Sequence, residues 1–295
     1  MHNKLAALSA TLVLMACGNP SPPSPPPPPA EPEPASTPIG AAAERLELHV
    51  FNCGTIEVSD LDVFSTAGDY AGTNDLFTNS CFLVRHPEGD LLWDAGLPGI
   101  LAATDAQEQG VFTVSLDTTL TEHLRERGLT PADVDYLSIS HSHFDHVGQV
   151  DQFTGAKWLV HESELAAMFP PDTVDGAAET GAQFTAFGDF ERQVFTGELD
   201  VFGDGRVVIF PTPGHTPGHT SLQVTLEDTG TVLLTGDLYH RAESRELKRV
   251  PRFNFDEAQT QASMDAFEAR AEALNALVII QHEPGDVFPL ADVLR

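Results

Sequence analysis

The chain has 295 residues, 41% of them hydrophobic, with 44 Asp+Glu against 15 Lys+Arg. That length holds one large or two smaller domains with a sizeable core, and a surface of that sign repels phosphate backbones, which argues against nucleic acid as substrate or partner. Only Glu31, Glu33 and Glu44 of the acids fall in the first 45 residues, so the folded part carries the negative charge.

Residues 1–16 hold one Lys and an apolar run from Leu5 to Met15, broken by Ser9 and Thr11. The run is too short to stay in a bilayer as a helix and has the shape of a secretory signal. Leu14-Met15-Ala16-Cys17 resembles the bacterial lipobox, in which the signal is cut before a Cys that is then acylated, and Gly18 after it points to the outer membrane. The expectation is an exported protein held at that membrane by lipid on Cys17, facing the periplasm or cell surface. Residues 17–45 then form a linker, with eleven Pro among residues 20–38. Such a stretch favours polyproline II and reaches about 60 Å.

The remaining residues, 46–295, read as the folded domain. Leu46 to Phe51 alternate as a first strand, and Cys81–Val84 with Leu91–Trp93 form a hairpin about Pro87 and Gly89. Between them, residues 58–79 read as an exposed loop with Phe64, Tyr70 and Phe77, either walling a substrate pocket or anchoring by hydrophobic contact. Cys53 and Cys81 allow either a disulfide between neighbouring strands or two buried thiols. Thr119 and Glu122 predict a capping box for a helix to Arg127, closed by Gly128, and Thr130-Pro131 starts a further helical turn. Strands are expected up to Ser140 and over Lys157–His161, with a short helix over Glu162–Phe169. Further strands are expected over Val207–Phe210, Leu222–Leu226, Val232–Leu234 and Leu277–Ile280. Met264, Phe267, Ala271 and Leu274 form the stripe of a long helix from Asp256 that Asn275 closes.

Metal-type side chains gather at the C-terminal ends of these strands: His141-Ser-His143-Phe-Asp145-His146, then His215, Asp237 and His282. Open sheets place their sites at such ends. Three imidazoles and a carboxylate within six residues suit a borderline cation.

HSHFDHVG, TPGHTPGH, LLTGD and IIQH in this order resemble the motifs of the metallo-β-lactamase superfamily over residues 46–295. The resemblance implies an α/β fold of the αββα type, two mixed sheets packed face to face with helices outside. It implies two divalent ions, zinc first, with iron, manganese or cobalt as alternatives. His141, His143 and His215 would hold one and Asp145, His146 and His282 the other, with Asp237 bridging. Asp145 would also orient a hydroxide shared by the ions, and Asp94 would support a ligand His. His219 is expected to make a structural hydrogen bond, and His49, His86, His123 and His161 to be ordinary polar or half-buried side chains.

Within the superfamily the sequence is most similar to the N-acyl homoserine lactonases, through TPGHTPGH, the span from Asn79 to Leu97, and Arg252-Phe-Asn-Phe-Asp256. Many of these carry a Tyr three residues after the bridging Asp; here that place is His240, with Tyr239 beside it, so either is a candidate donor to the developing oxyanion. The implied activity is opening of a lactone ester, as in quorum quenching. Alternatives are a phosphotriesterase or aryl-ester hydrolase of the methyl-parathion-hydrolase type, a glyoxalase II-like thioester hydrolase, or a non-enzymatic metal- or ligand-binding lipoprotein. The partner is a small ester or lactone, and the sequence leaves a homodimer open.

Overall fold

The computed structural model describes residues 43–170, 182–290 and 292–295. The signal, Cys17 and the Pro-rich stretch lie outside these. No helix among the described residues is long and apolar enough to cross a membrane.

The described residues form fourteen strands. They begin with β1 (Glu47–Val58), β2 (Asp75–His86), β3 (Gly89–Trp93), β4 (Gln107–Gln109), β5 (Phe112–Ser115), β6 (Tyr136–Ser138) and β7 (Lys157–His161). There follow β8 (Arg192–Phe195), β9 (Leu199–Asp200), β10 (Val207–Pro211), β11 (Thr220–Leu226), β12 (Gly230–Leu234), β13 (Leu277–Ile279) and β14 (Val293–Leu294). The larger sheet runs β4-β5-β1-β2-β3-β6-β7-β8 with β14 also paired to β1, and the smaller runs β13-β12-β11-β10-β9. Both are mixed, since β3-β6-β7-β8 and β12-β13 are parallel and the rest antiparallel.

The period-2 alternation explains why the sheets stack. Leu48 and Val50 of β1, Phe82 and Val84 of β2, and Leu91 and Trp93 of β3 face Val207, Ile209, Leu222, Val224, Val232 and Leu234 of the other sheet. The alternate residues Phe51, Cys53, Cys81, Leu83 and Leu92 turn outward, under α1 (Leu120–Glu126) and α2 (Glu162–Met168). α3 (Ala242–Leu247) follows β12, and α4 (Glu257–Leu274) covers the smaller sheet with Met264, Phe267 and Ala271 against Phe210 and Leu233. A final turn, α5 (Pro284–Val287), follows β13. The layers are therefore α-β-β-α, as expected.

Local signals are realised closely. Thr119 and Glu122 close the capping box, and α4 starts at the Asp256 cap and stops at Asn275, whose φ is 48°. Two expectations are corrected. β1 continues to Val58 because its register shifts between Asn52 and Thr55, a bulge that carries the strand past Gly54. Residues 58–79 are a loop only in part: β2 begins at Asp75, and Phe64, Tyr70 and Phe77 are buried as anchors while most residues between Ser65 and Asp75 are exposed.

Cys53 and Cys81 form a disulfide between β1 and β2, closing a sequence separation of 28 residues. A loop of that size is stabilised by about 3 kcal/mol in the chain-entropy account. Thermal unfolding with and without reductant should show a drop in Tm of several degrees, and an unchanged Tm would remove the disulfide from the stability of the fold.

Candidate metal centre

Every expected ligand stands where a strand ends. The turn after β6 carries His141, His143, Asp145 and His146; the loop between β10 and β11 carries His215; the turns after β12 and β13 carry Asp237 and His282. These side chains converge into two groups, His141, His143, His215 and Asp237, and Asp145, His146 and His282, within each of which the ligand atoms lie within 4.8 Å of one another.

In the first group His143 Nδ1 lies 2.9 Å from His141 Nε2 and 3.0 Å from His215 Nε2, while Asp237 Oδ2 lies 3.4 Å from both of the latter. In the second, His146 Nε2 and His282 Nε2 are 3.3 Å apart and lie 3.2 and 2.9 Å from Asp237 Oδ1. Asp145 Oδ2 is 3.7 and 3.6 Å from the same two nitrogens. One carboxylate thus serves both groups, one oxygen to each.

The protonation pattern tests whether cations fit. His282 Nδ1 faces the carbonyl of Thr78 at 2.9 Å, and His146 Nδ1 faces Asp94 Oδ2 at 3.1 Å, so both nitrogens donate. In the neutral rings the Nε2 atoms then carry lone pairs that point at each other and at a carboxylate oxygen, an arrangement that only a positive charge between them stabilises. Burial opposes charge on His146, yet Asp237, Asp94 and Asp145 outweigh it and hold this imidazole well above its usual range. His282 is raised by Asp237 in the same way against burial. Burial, reinforced by His146, holds His141 well below it, and burial with His215 brings His143 down to about 4. Burial pushes the Asp237 carboxyl up, but His282 and His146 foremost keep it far down in the ionised form. His141 and His143, held neutral, the ionised Asp237, and His146 and His282, which their carboxylate neighbours make favourable places for positive charge, are together a donor set for divalent metal ions.

His219 is excluded as a ligand because both its ring nitrogens are used. Nε2 accepts the Asp237 backbone N–H at 2.9 Å, so Nδ1 carries the proton and donates to the Thr212 carbonyl at 3.0 Å. Its expected structural hydrogen bond therefore positions the shared carboxylate. Asp94, expected as a ligand's support, does so from a strained left-handed backbone with φ 62°. Its Oδ1 also accepts the Ser140 N–H at 2.6 Å.

Tyr239 and His240 separate. His240 borders the cavity with Nε2 3.0 Å from Asp237 Oδ2, and burial brings its imidazole down to about 4. Tyr239 is turned into the core against Phe267, where its hydroxyl donates to Glu268 of α4 at 2.9 Å. The expectation of Tyr239 as a candidate oxyanion donor is corrected: consecutive residues leaving a turn face opposite ways, and the larger apolar ring takes the core side.

One positioning residue carries no sequence signal. Glu164 of α2, fully buried, accepts from Ser142 N at 2.8 Å, Thr216 Oγ1 at 2.7 Å and Gly218 N at 3.0 Å, and so ties the two His-bearing loops together. A Cβ on Gly218 would lie 2.0 Å from Glu164 N, so only glycine lets the helix start approach this loop.

Above the ligands lies a cavity of about 170 Å³, floored by His143, Asp145, Asp237, His240 and His282. Its walls are Ile56, Phe64, Phe77, Phe112, Phe144 and Phe253, with no Lys or Arg among the described residues.

A family model described as "Metallo-beta-lactamase superfamily" matches residues 74–282. The N-acyl homoserine lactonase AttM of Rhizobium radiobacter is 30% identical over 250 residues, covering 81% of this chain and 94% of that protein. Among solved structures, an N-acyl homoserine lactone hydrolase with N-hexanoyl-L-homoserine bound at its catalytic metal centre superposes with a TM-score of 0.70 at 23% identity, over 83% of this chain and 96% of that one. The dizinc quorum-quenching lactonase AidC superposes with a TM-score of 0.63 at 17% identity, over 82% and 89%. At those identities the structures speak for the fold, while the matched model spans most of the chain and all seven ligand positions. The chain belongs to the metallo-beta-lactamase superfamily.

Proposed function

We propose that the protein is a two-metal hydrolase that opens the ester bond of a lactone, N-acyl homoserine lactone first among them. The observation that carries this is one carboxylate, Asp237, shared by two imidazole-rich groups beneath an aromatic-walled cavity. The lactonase relative at 30% identity supports the choice of ester. Two divalent ions at such a site, zinc being the first choice for this donor set, supply a water of lowered pKa and polarise a carbonyl.

The chain's own residues do the rest. Asp145, at the rim of the second group, accepts a proton from the attacking water and orients it. His240, on the cavity floor, stands where a donor to the developing oxyanion is needed. The phenylalanine walls take the acyl chain and exclude bulk water.

The lipobox-like Leu14-Met15-Ala16-Cys17 supports export and a lipid anchor on Cys17, and a disulfide suits an oxidising compartment. A diffusible signal that crosses membranes would be met there.

A panel of lactones, a paraoxon-like triester, a thioester and a cephalosporin, compared by kcat/KM on metal-replete protein, separates the readings. Lactones should lead by at least about tenfold, or about 1.4 kcal/mol of transition-state stabilisation, and a chelator should abolish turnover. A triester leading the panel would favour the phosphotriesterase reading, and turnover unaffected by chelation would end the metal mechanism.

A further inference from the structure

We propose that Gln281 is the positioning residue that sets the two ligand groups at their mutual spacing. Its side chain is fully buried, in the same turn as His282, and uses every hydrogen-bonding valence of its amide. Oε1 accepts from Trp93 Nε1 and from Gly236 N, both at 3.0 Å. Nε2 donates to Asp94 Oδ2 at 2.8 Å and to the Ser80 carbonyl at 3.3 Å.

Each partner leads to a different ligand. Gly236 precedes Asp237, the carboxylate shared by both groups. Asp94 orients His146 of the second group through Oδ2 and holds Ser140, the residue before His141 of the first group, through Oδ1. The Gln281 backbone carbonyl accepts from Ser80 Oγ at 2.9 Å, and its chain neighbour His282 is anchored on the Thr78 carbonyl of the same strand, β2. One amide therefore connects the middle of β2 with the ends of β3, β12 and β13, each of which delivers a ligand or its support.

The task requires an acceptor at one end and a donor at the other. A carboxylate would set like charge against Asp94 Oδ2, and an aliphatic side chain would leave the Gly236 N–H and the Trp93 indole unpaired in a dry interior. Loosening Asp94 frees the His146 ring, so the second group suffers more than the first, whose His143 and His215 sit on loops held by Glu164.

The proposal rests on the two-metal reading and not on the lactone, and its test needs no substrate. The full chain is stripped with chelator and titrated with cobalt(II), followed by its visible absorption bands. The wild type should take up two equivalents. Gln281→Leu should bind the first as the wild type does and the second about 10–100-fold more weakly, the usual cost of removing a group that orients a metal ligand. If Gln281→Leu does not fold, Gln281→Glu, which keeps the volume and the acceptor, should show the same selective loss. Two equivalents bound with wild-type affinity, with only a lowered Tm, would reduce Gln281 to a structural core residue and overturn the proposal. Fewer than two equivalents in the wild type would instead overturn the two-metal reading, and this proposal with it.

Discussion

Replacing Asp237 by Asn should lower kcat/KM by about 10³-fold or more and reduce the metal content below two ions per chain. The physical reason is that no other group belongs to both sites. Oδ2 faces His141 and His215, Oδ1 faces His146 and His282, and the negative charge favours cations among the five imidazoles of the two groups. An amide removes that charge and turns an N–H into a field of nitrogen lone pairs. Losing several kcal/mol of charge stabilisation corresponds to three or more powers of ten, at about 1.4 kcal/mol for each. Elemental analysis and initial rates on the same preparation check both halves. Two ions retained with a rate within tenfold of the wild type would show that Asp237 does not bridge.

Glu164→Ala should destabilise the fold by about 3 kcal/mol or more, although the residue is neither a ligand nor on the cavity wall. The substitution leaves three donors, Ser142 N, Thr216 Oγ1 and Gly218 N, without their shared acceptor in a buried place, and each such loss costs about 1–3 kcal/mol before any water enters. Glu164→Gln should fall between. Its carbonyl oxygen can keep Thr216 and Gly218, while its NH₂ opposes the Ser142 N–H. Denaturant unfolding orders the three proteins as wild type, Gln, Ala. An Ala variant as stable as the wild type would mean that the His-bearing loops hold themselves.

The ligand set was legible in the sequence because each ligand follows an apolar strand. β10, β12 and β13 run in one direction, so His215, Asp237 and His282 leave the smaller sheet on one rim, where the turn after β6 brings His141. The helices were legible where caps were written locally, as at Thr119–Glu122 and Asp256. β4, β5, β8, β9 and β14 were not. They are short strands at or near the sheet edges with few buried side chains, such as Arg192–Phe195, where only Phe195 is buried. Their extension comes from pairing with a neighbour, so they leave no period of their own.

By itself the sequence determined the seven metal-type residues, because strand periodicity and motif spacing are local properties, and the resemblance those motifs carry implied the superfamily and its layer order. Only the tertiary structure decided which of Tyr239 and His240 faces the site, that Cys53 meets Cys81, and that Glu164 and Gln281 hold the ligand loops. It also decided the cavity, whose walls come from residues as far apart as Ile56 and Phe253. These depend on which way a side chain leaves its turn and on what lies opposite once the two sheets close, and distance along the chain carries no record of either.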